Sequence, residues 1–414
     1  MLRNESLVCL SITPWDTHLP SSGHYLMREF ARKNRVLFVD RPLSVKDLWN
    51  HRRNPEMADR LARTLRQENP LRPWGLKDRD GWVLTPPPIL PINALDEGAL
   101  YETAFATNTQ LLRRSVRWAM DRLDMRDPIL WVSFELPMGA GLLGKLDERL
   151  SVYHCFDEVR GEPYLARHGQ LLEARLVEHS DIVFASSRKL AQDRLSLRPD
   201  IQFVPNGVDF ESYRRAMDLD LPIPDDLSVI PPPRIGYLGN LESRLDYALI
   251  ENVAIARPDW SIVLVGPSEG YWQEKLEIMG KLSNVYVLGK RPPSMAPAIL
   301  KAFDAAIIPF VRSPQTEAIY PLKLNEYLAA GRSVVMTPFA DLREFQHVTW
   351  IASDAPSFIA ALEAAIRPVD PASLSIRLQV ARDNDWSRRA AAIETCLERR
   401  LNAHPPLPGR RNLA

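Results

Sequence analysis

Short unbroken apolar runs alternate along the chain with stretches in which apolar positions recur every three or four residues. Leu7–Ile12, Val36–Val39, Ile129–Val132, the start of Ser151–Glu158, Asp181–Ala185 and Ile201–Val204 are runs of the first kind. A strand buried on both faces needs an apolar residue at every position, so these runs predict a parallel sheet covered by helices. The intervening helices are expected at His24–Lys33, Leu100–Leu123 and Gln170–Glu178, with another opened by Ser186–Lys189. Phe105, Leu112, Val116 and Met120 lie on one stripe of the long helix, as the 3.6-residue period requires. A second series follows Leu219–Pro233, a stretch too rich in proline for helix or central strand. Its strands are Ile235–Leu238, Ser261–Val265, Asn284–Leu288, Asp304–Pro309 and Ser333–Thr337. Its helices are Asp246–Ala256, Met295–Phe303, the one opened by Pro321, Ile359–Ile366 and Trp386–Arg400.

The pattern predicts an α/β protein with two Rossmann-like, doubly wound domains. The expected division is 1–210, a proline-rich linker 211–233, a second domain 234–375, a terminal helix within 376–402 and a disordered tail 403–414. A length of 414 residues suits two such domains. Lys and Arg together number 52, as do Asp and Glu, so no overall basic field argues for nucleic acid. The three cysteines are scattered without metal or disulfide spacing, which fits a reducing cytoplasm. No apolar run approaches the length of a membrane span, and the N-terminus lacks the apolar core of a signal peptide. The Arg-rich segment around Trp49 reads either as a solvated helix face or as a peripheral contact with an anionic membrane.

Candidate chemistry centres on Glu317–Pro338. Pro321 suits the first helical position, Gly331 suits the left-handed residue past the helix end, and an apolar strand follows. Helical periodicity puts Leu324, Tyr327 and Leu328 on one side of this helix, with Lys323, Glu326 and Ala330 on another. The second face starts at a helix N-terminus, where unpaired N–H groups favour phosphate, and Glu326 is placed to accept bonds from ribose hydroxyls. The same two residues also read as a surface pair three positions apart. Gly239 ends the first strand of the second domain, where backbone N–H groups approach a phosphate; Asn240 follows it, with Arg244 nearby. Arg291 lies in the turn after a short strand. Tyr320 and Leu322 flank Pro321 and complete the donor-side set with Glu317. In the first domain, Gly23 and His24 open a helix after the first strand and face the acceptor side or act as an ordinary cap. His154 and Asp157 are expected to emerge at a strand's carboxyl end. Asp157 then acts on an acceptor hydroxyl or caps a helix; His154 contacts substrate or is a structural histidine.

Pro205-Asn206-Gly207-Val208-Asp209, Tyr237-Leu238-Gly239, Gly289-Lys290-Arg291, Ile308-Pro309-Phe310 and Glu326-Tyr327-Leu328-Ala329-Ala330-Gly331 occur in this order. The series resembles the GT-B glycosyltransferases, especially the retaining family 4 members of teichuronic-acid and exopolysaccharide type. The resemblance implies two Rossmann-like domains facing across a cleft, with the terminal helix crossing back to the first. It implies that Glu326 holds the nucleotide ribose and that the G-x-R turn contacts the base. An earlier Glu of the family contacts the donor sugar; Glu317 is the nearest here, position 318 being Ala. Where many members carry an Arg after the glycine, this chain has Asn240. The expected activity is transfer of a sugar from a nucleotide-diphosphate donor to a hydroxyl acceptor, for cell-surface polysaccharide or glycolipid. No DxD motif stands on a plausible loop, so no metal or other cofactor is expected; the nucleotide sugar is substrate. Rivals are a GT-B epimerase or hydrolase and a non-catalytic nucleotide-sugar-binding scaffold.

Overall fold

In the computed structural model, residues 2–17, 20–51, 58–66 and 69–403 are described. The expected disordered tail lies, from residue 404, outside them. The chain divides into two units, Met1–Pro205 with Arg389–Ala414, and Asn206–Arg388.

The first unit comprises β1 (Ser6–Ser11), α1 (Ser22–Phe30), β2 (Arg35–Asp40), α2 (Val45–His51), α3 (Ala58–Arg66), β3 (Leu71–Pro73) and β4 (Gly81–Leu84). There follow α4 (Ala99–Arg122), β5 (Ile129–Ser133), α5 (Leu136–Leu142), β6 (Leu150–Cys155), α6 (Gly169–His179), β7 (Ile182–Ala185), α7 (Arg188–Arg194) and β8 (Gln202–Phe203). The strands form one sheet in the order β3-β4-β2-β1-β5-β6-β7-β8. All pairings are parallel except β3 with β4. Nearly every residue of β1, β2, β5 and β6 is buried, which is why these strands read as continuous apolar runs. The chain winds from β1 to one side and resumes on the other with β5. The carboxyl ends of β1 and β5 therefore flank the topological switch point, where open α/β sheets receive ligands. Helix α5 packs close: a methyl on Gly139 would lie 2.5 Å from Val132 Cγ1 on β5. That need for small residues removes the apolar periodicity by which a helix is read, so α5 is absent from the sequence expectation.

The second unit holds α8 (Phe210–Arg214), α9 (Asp225–Ser228), β9 (Arg234–Leu238), α10 (Tyr247–Ala256), β10 (Ser261–Val265), α11 (Tyr271–Met279), β11 (Val285–Val287) and α12 (Ala296–Lys301). It continues with β12 (Ala305–Ile308), α13 (Pro314–Glu317), α14 (Leu322–Ala329), β13 (Ser333–Met336), β14 (Trp350–Ile351), α15 (Ala355–Ala365) and α16 (Pro371–Asp383). Its parallel sheet runs β11-β10-β9-β12-β13-β14, with the switch point between β9 and β12.

The proline-rich stretch expected as a linker clusters with the second unit. Lys301 Nζ donates to the carbonyls of Asp218, Leu219 and Leu221 at 2.6, 2.9 and 2.7 Å, and the Arg234 guanidinium donates to Ser228 and Ile230. The segment 376–402 is two helices, α16 and α17 (Trp386–Ala403). The break falls where side chains compete for backbone partners. The Asp385 carboxylate accepts from the N–H groups of Phe210 and Ser387, and Asn384 Nδ2 donates to Asn325 Oδ1. Residues from Arg389 onward cluster with the first unit.

Candidate active site

Helix α14 turns one face into the core of the second unit and leaves the other partly open. Leu324, Asn325, Tyr327 and Leu328 are buried, while Leu322, Lys323 and Glu326 keep partial exposure. Pro321 stands one place earlier than expected, as the extended N-cap. Gly331 follows the helix at φ 73°, the left-handed stop that only glycine adopts without strain. The Tyr327 hydroxyl accepts from Leu238 N–H at 2.9 Å and donates to Leu238 O at 3.1 Å. One phenol thus ties the middle of α14 to the last residue of β9.

That tie sets the geometry of the loop that follows. Gly239 has φ 152°, its N–H donates to Val265 O at 2.9 Å, and a methyl on it would lie 2.9 Å from Lys323 Cε and 3.0 Å from Nζ. A methyl on Gly266, at φ 155°, would fall 1.8 Å from Gly239 O, so the loops after β9 and β10 touch backbone to backbone. The Lys323 ammonium lies 5.4 Å from the Tyr237 ring centre and 5.5 Å from that of Phe310, residues on β9 and just past β12. It therefore sits over the switch point of this unit. Burial lowers its pKa to about 8, with Glu326 opposing the shift. Burial raises the Glu326 carboxyl, against the pull of Lys323 and a hydrogen bond from Tyr213. A crowded cation beside a glycine backbone and a carboxylate one turn on form a compact group that can meet a phosphate and a diol.

The other donor-side residues are spread around this group. Asn240 follows Gly239; its carbonyl accepts from the Tyr237 hydroxyl at 3.1 Å, and its Oδ1 is buried without a hydrogen-bond partner among the described residues. Arg244 Nε donates to Glu242 at 2.6 Å. Arg291 pairs with Asp226 on α9, so its guanidinium is turned to the segment before β9. Glu317 is held by Arg312 Nε at 2.6 Å on the exposed end of α13. Tyr320 is 4% exposed, its ring lies 5.6 Å from that of Phe345, and its carbonyl accepts from Asn206. It packs in the interior, contrary to a place on the donor-facing surface. Tyr213, Tyr237 and Tyr327 were missed by sequence reasoning, because an aromatic at an apolar position reads as core.

In the first unit, Gly23 belongs to α1, where a methyl would meet Ser133 Oγ at 2.3 Å. His24 is fully buried and braces its loop: Nε2–H donates to Pro14 O at 2.9 Å and Nδ1 accepts from Ser21 N–H at 3.2 Å. Burial lowers its pKa to about 4, so it is neutral, and its ring stacks on Trp15 at 5.5 Å. Both ring nitrogens are engaged, which argues for structure over acceptor contact. His154 does not emerge from the sheet as expected. It lies within β6 opposite Ser133 and Phe184, 2% exposed, 5.5 Å from the rings of Trp131 and Phe156. Burial lowers its pKa to about 3. Asp157 lies in the loop past β6, partly exposed, with Oδ1 accepting from Glu158 N–H at 2.8 Å. Beneath it, Arg194 pairs with Glu173 at 2.8 Å and Tyr153 donates to the same carboxylate at 2.8 Å. Among the described residues no group of three or more His, Cys, Asp or Glu gathers to hold a metal ion, and no helix is long and apolar enough to cross a membrane.

Residues 232–367 match the family described as glycosyl transferases group 1. A Bacillus subtilis (strain 168) protein named "Putative teichuronic acid biosynthesis glycosyltransferase TuaH" is 29% identical over 227 residues, 52% of this chain and 56% of that one. The match thus spans about half the length of the curated relative. Among solved structures, sucrose-phosphate synthase from Thermosynechococcus elongatus aligns with a TM-score of 0.66 at 13% identity, covering 97% of this chain and 100% of that one. A structure described as trehalose-6-phosphate from E. coli bound with UDP-2-fluoro glucose gives 0.68 at 12% identity over 95% and 99%. Anabaena Alr3699/HepE in complex with UDP and glucose gives 0.62 at 15% identity over 95% and 99%. At these identities the likeness establishes the fold, two Rossmann-like units of GT-B type.

Proposed function

We propose that the chain, whose residues 232–367 match the family of group 1 glycosyl transferases and whose fold is of GT-B type, belongs to that family and moves a sugar from a nucleotide-diphosphate donor to a hydroxyl acceptor. The observation that carries the proposal is Lys323 poised over Gly239 at the switch point of the second unit, with Glu326 one turn along the same helix. The UDP-bearing neighbours and the teichuronic acid relative support a nucleotide sugar as donor and a cell-surface polysaccharide or glycolipid as product.

Breaking a glycosidic bond to a diphosphate leaves negative charge on the departing group, and stabilising that charge is the main demand on the protein. In this reading Lys323 and the unpaired N–H groups at the start of α14 meet the charge, and Glu326 accepts hydrogen bonds from the ribose diol. These groups supply positive potential without a metal, and the family resemblance supports retention at the anomeric carbon. Asp157 is proposed to orient the acceptor hydroxyl. The protein is proposed to work in the cytoplasm, peripherally at the membrane's inner face, with Val45 and Trp49, 52% and 68% exposed, as the apolar contact. The test is nucleotide release from a panel of UDP-, GDP- and ADP-sugars, with and without saccharide and lipid-linked acceptors. Acceptor-dependent release supports transfer. Release at one rate regardless of acceptor indicates a hydrolase, and nucleotide binding without release indicates a scaffold.

A further inference from the structure

The switch point of the first unit carries a polar group for which the donor site has no use. β5 ends at Ser133, Phe134 takes φ 57°, and the chain then turns Glu135 into α5 as its N-cap. A bulky residue held in the left-handed region is strained, and such strain persists where the surroundings hold a neighbour in place. Glu135 is 1% exposed, and neither carboxylate oxygen has a hydrogen-bond partner among the described residues. Burial raises its pKa to about 7, against the pull of Arg41, the Met138 backbone N–H and Arg60.

Those two arginines come from the segment after β2 and from α3. Arg60 donates to Arg41 O, its Nε is buried without a partner, and neither arginine makes an ion pair with a described residue. The Arg41 guanidinium lies 3.9 Å over the ring of Tyr164, whose hydroxyl is buried near Glu135. Other acids close by are already engaged: Asp40 accepts from Trp15 N–H at 2.7 Å, and Asp47 from Ser44 N–H and Oγ, both at 2.8 Å. Among the described residues Glu135 thus has no side-chain hydrogen bond and neither arginine has a direct ion pair, although Asp40, Asp47 and Glu135 lie in the field of Arg60. The group is gathered where an open sheet receives its ligand.

We propose that this cluster selects an acceptor that carries an anionic group, phosphate or carboxylate, beside its sugar hydroxyls. Arg41 and Arg60, which keep part of their side chains exposed, hold the anion, and Glu135 beneath them accepts from the hydroxyls. This rests on the glycosyl-transfer reading and adds the substrate class to it.

The full chain is titrated with glucose, glucose 6-phosphate, glucuronate and inorganic phosphate, with UDP as a separate arm. At least one charged sugar is expected to bind tenfold or more tighter than glucose, and which of the two wins separates phosphate from carboxylate. Arg60→Gln and Arg41→Gln bring that sugar to the affinity of glucose. Glu135→Gln weakens it about tenfold while leaving inorganic phosphate unchanged. UDP affinity, unaltered in all three variants, reports that the fold is intact. Equal affinity for charged and neutral sugars, no binding of either charged sugar, or insensitivity to the arginine variants overturns the inference. UDP binding in those cases leaves the transfer reading standing, whereas failure of every nucleotide diphosphate removes that reading itself.

Discussion

The surroundings of Lys323 and Glu135 move both residues toward neutral pH. Lys323 titrates near 8 instead of 10.5, so it is charged at pH 7 and loses its charge as pH rises through about 8. Affinity for a nucleoside diphosphate is therefore expected to be level up to about pH 7.5 and to weaken above 8, by up to about tenfold per pH unit. Lys323→Ala should flatten that profile and cost about ten- to a hundredfold in affinity, the worth of a charge-assisted bond. Calorimetric titration between pH 6 and 9.5 measures both; an unchanged profile in the variant contradicts the placement of the ammonium. For Glu135 the folded pKa is raised, from 4.5 to about 7. The folded state then holds a proton that the unfolded chain releases, and the associated stability is full below about pH 4.5 and lost as pH rises to about 7. Relative to wild type, Glu135→Gln should gain up to about 3 kcal/mol over that window and nothing further above it. Urea midpoints at pH 4.5 and 8 test this, and an equal difference at both values refutes it.

At the scale of elements, the donor site depends on the registry between α14 and β9. Tyr327→Phe keeps the ring in the core and deletes both hydroxyl bonds to Leu238, leaving its half-buried N–H and carbonyl a partner short. The expected cost is about 1–3 kcal/mol in denaturant unfolding, with weaker diphosphate binding as Gly239 drifts from Lys323. Loss of stability with wild-type affinity would show that the loop is held by other contacts. Helix α14 was legible in the sequence because its signals are local: a proline at the start, a glycine at the end and an apolar strand after it. His24 and His154 were not, since the same polar residue reads alike whether a sheet edge exposes it or a helix covers it. Depth is a tertiary property, and both histidines lie deep. The α16–α17 break was hidden for a related reason, because it depends on Phe210 and Asn325, far away in sequence.

At the scale of the molecule, α/β winding was legible because strands buried on both faces leave continuous apolar runs that no other element mimics. The division into units was less so. Proline richness in 219–233 marks where regular structure stops, yet says nothing about which unit the segment packs upon, and Lys301 is what fastens it. The return of residues 389–403 to the first unit is equally a matter of packing, with Ile393 and Leu397 fully buried. Ile393→Ala should cost that unit about 2–4 kcal/mol and lower its unfolding midpoint. Hydrogen exchange would then rise in β1, β2 and β5 while β9 and β12 keep wild-type protection. Uniform loosening of both units would contradict the assignment.

The central claim is that a sugar donor's diphosphate meets Lys323 at the start of α14, with its ribose on Glu326. Calorimetric titration of UDP, GDP and ADP into wild type, Lys323→Ala and Glu326→Ala tests it most directly. The account predicts that at least one diphosphate binds wild type and that each variant weakens it tenfold or more while its melting curve stays cooperative. Wild-type affinity in either variant, or no binding of any of the three to the native chain, would contradict it.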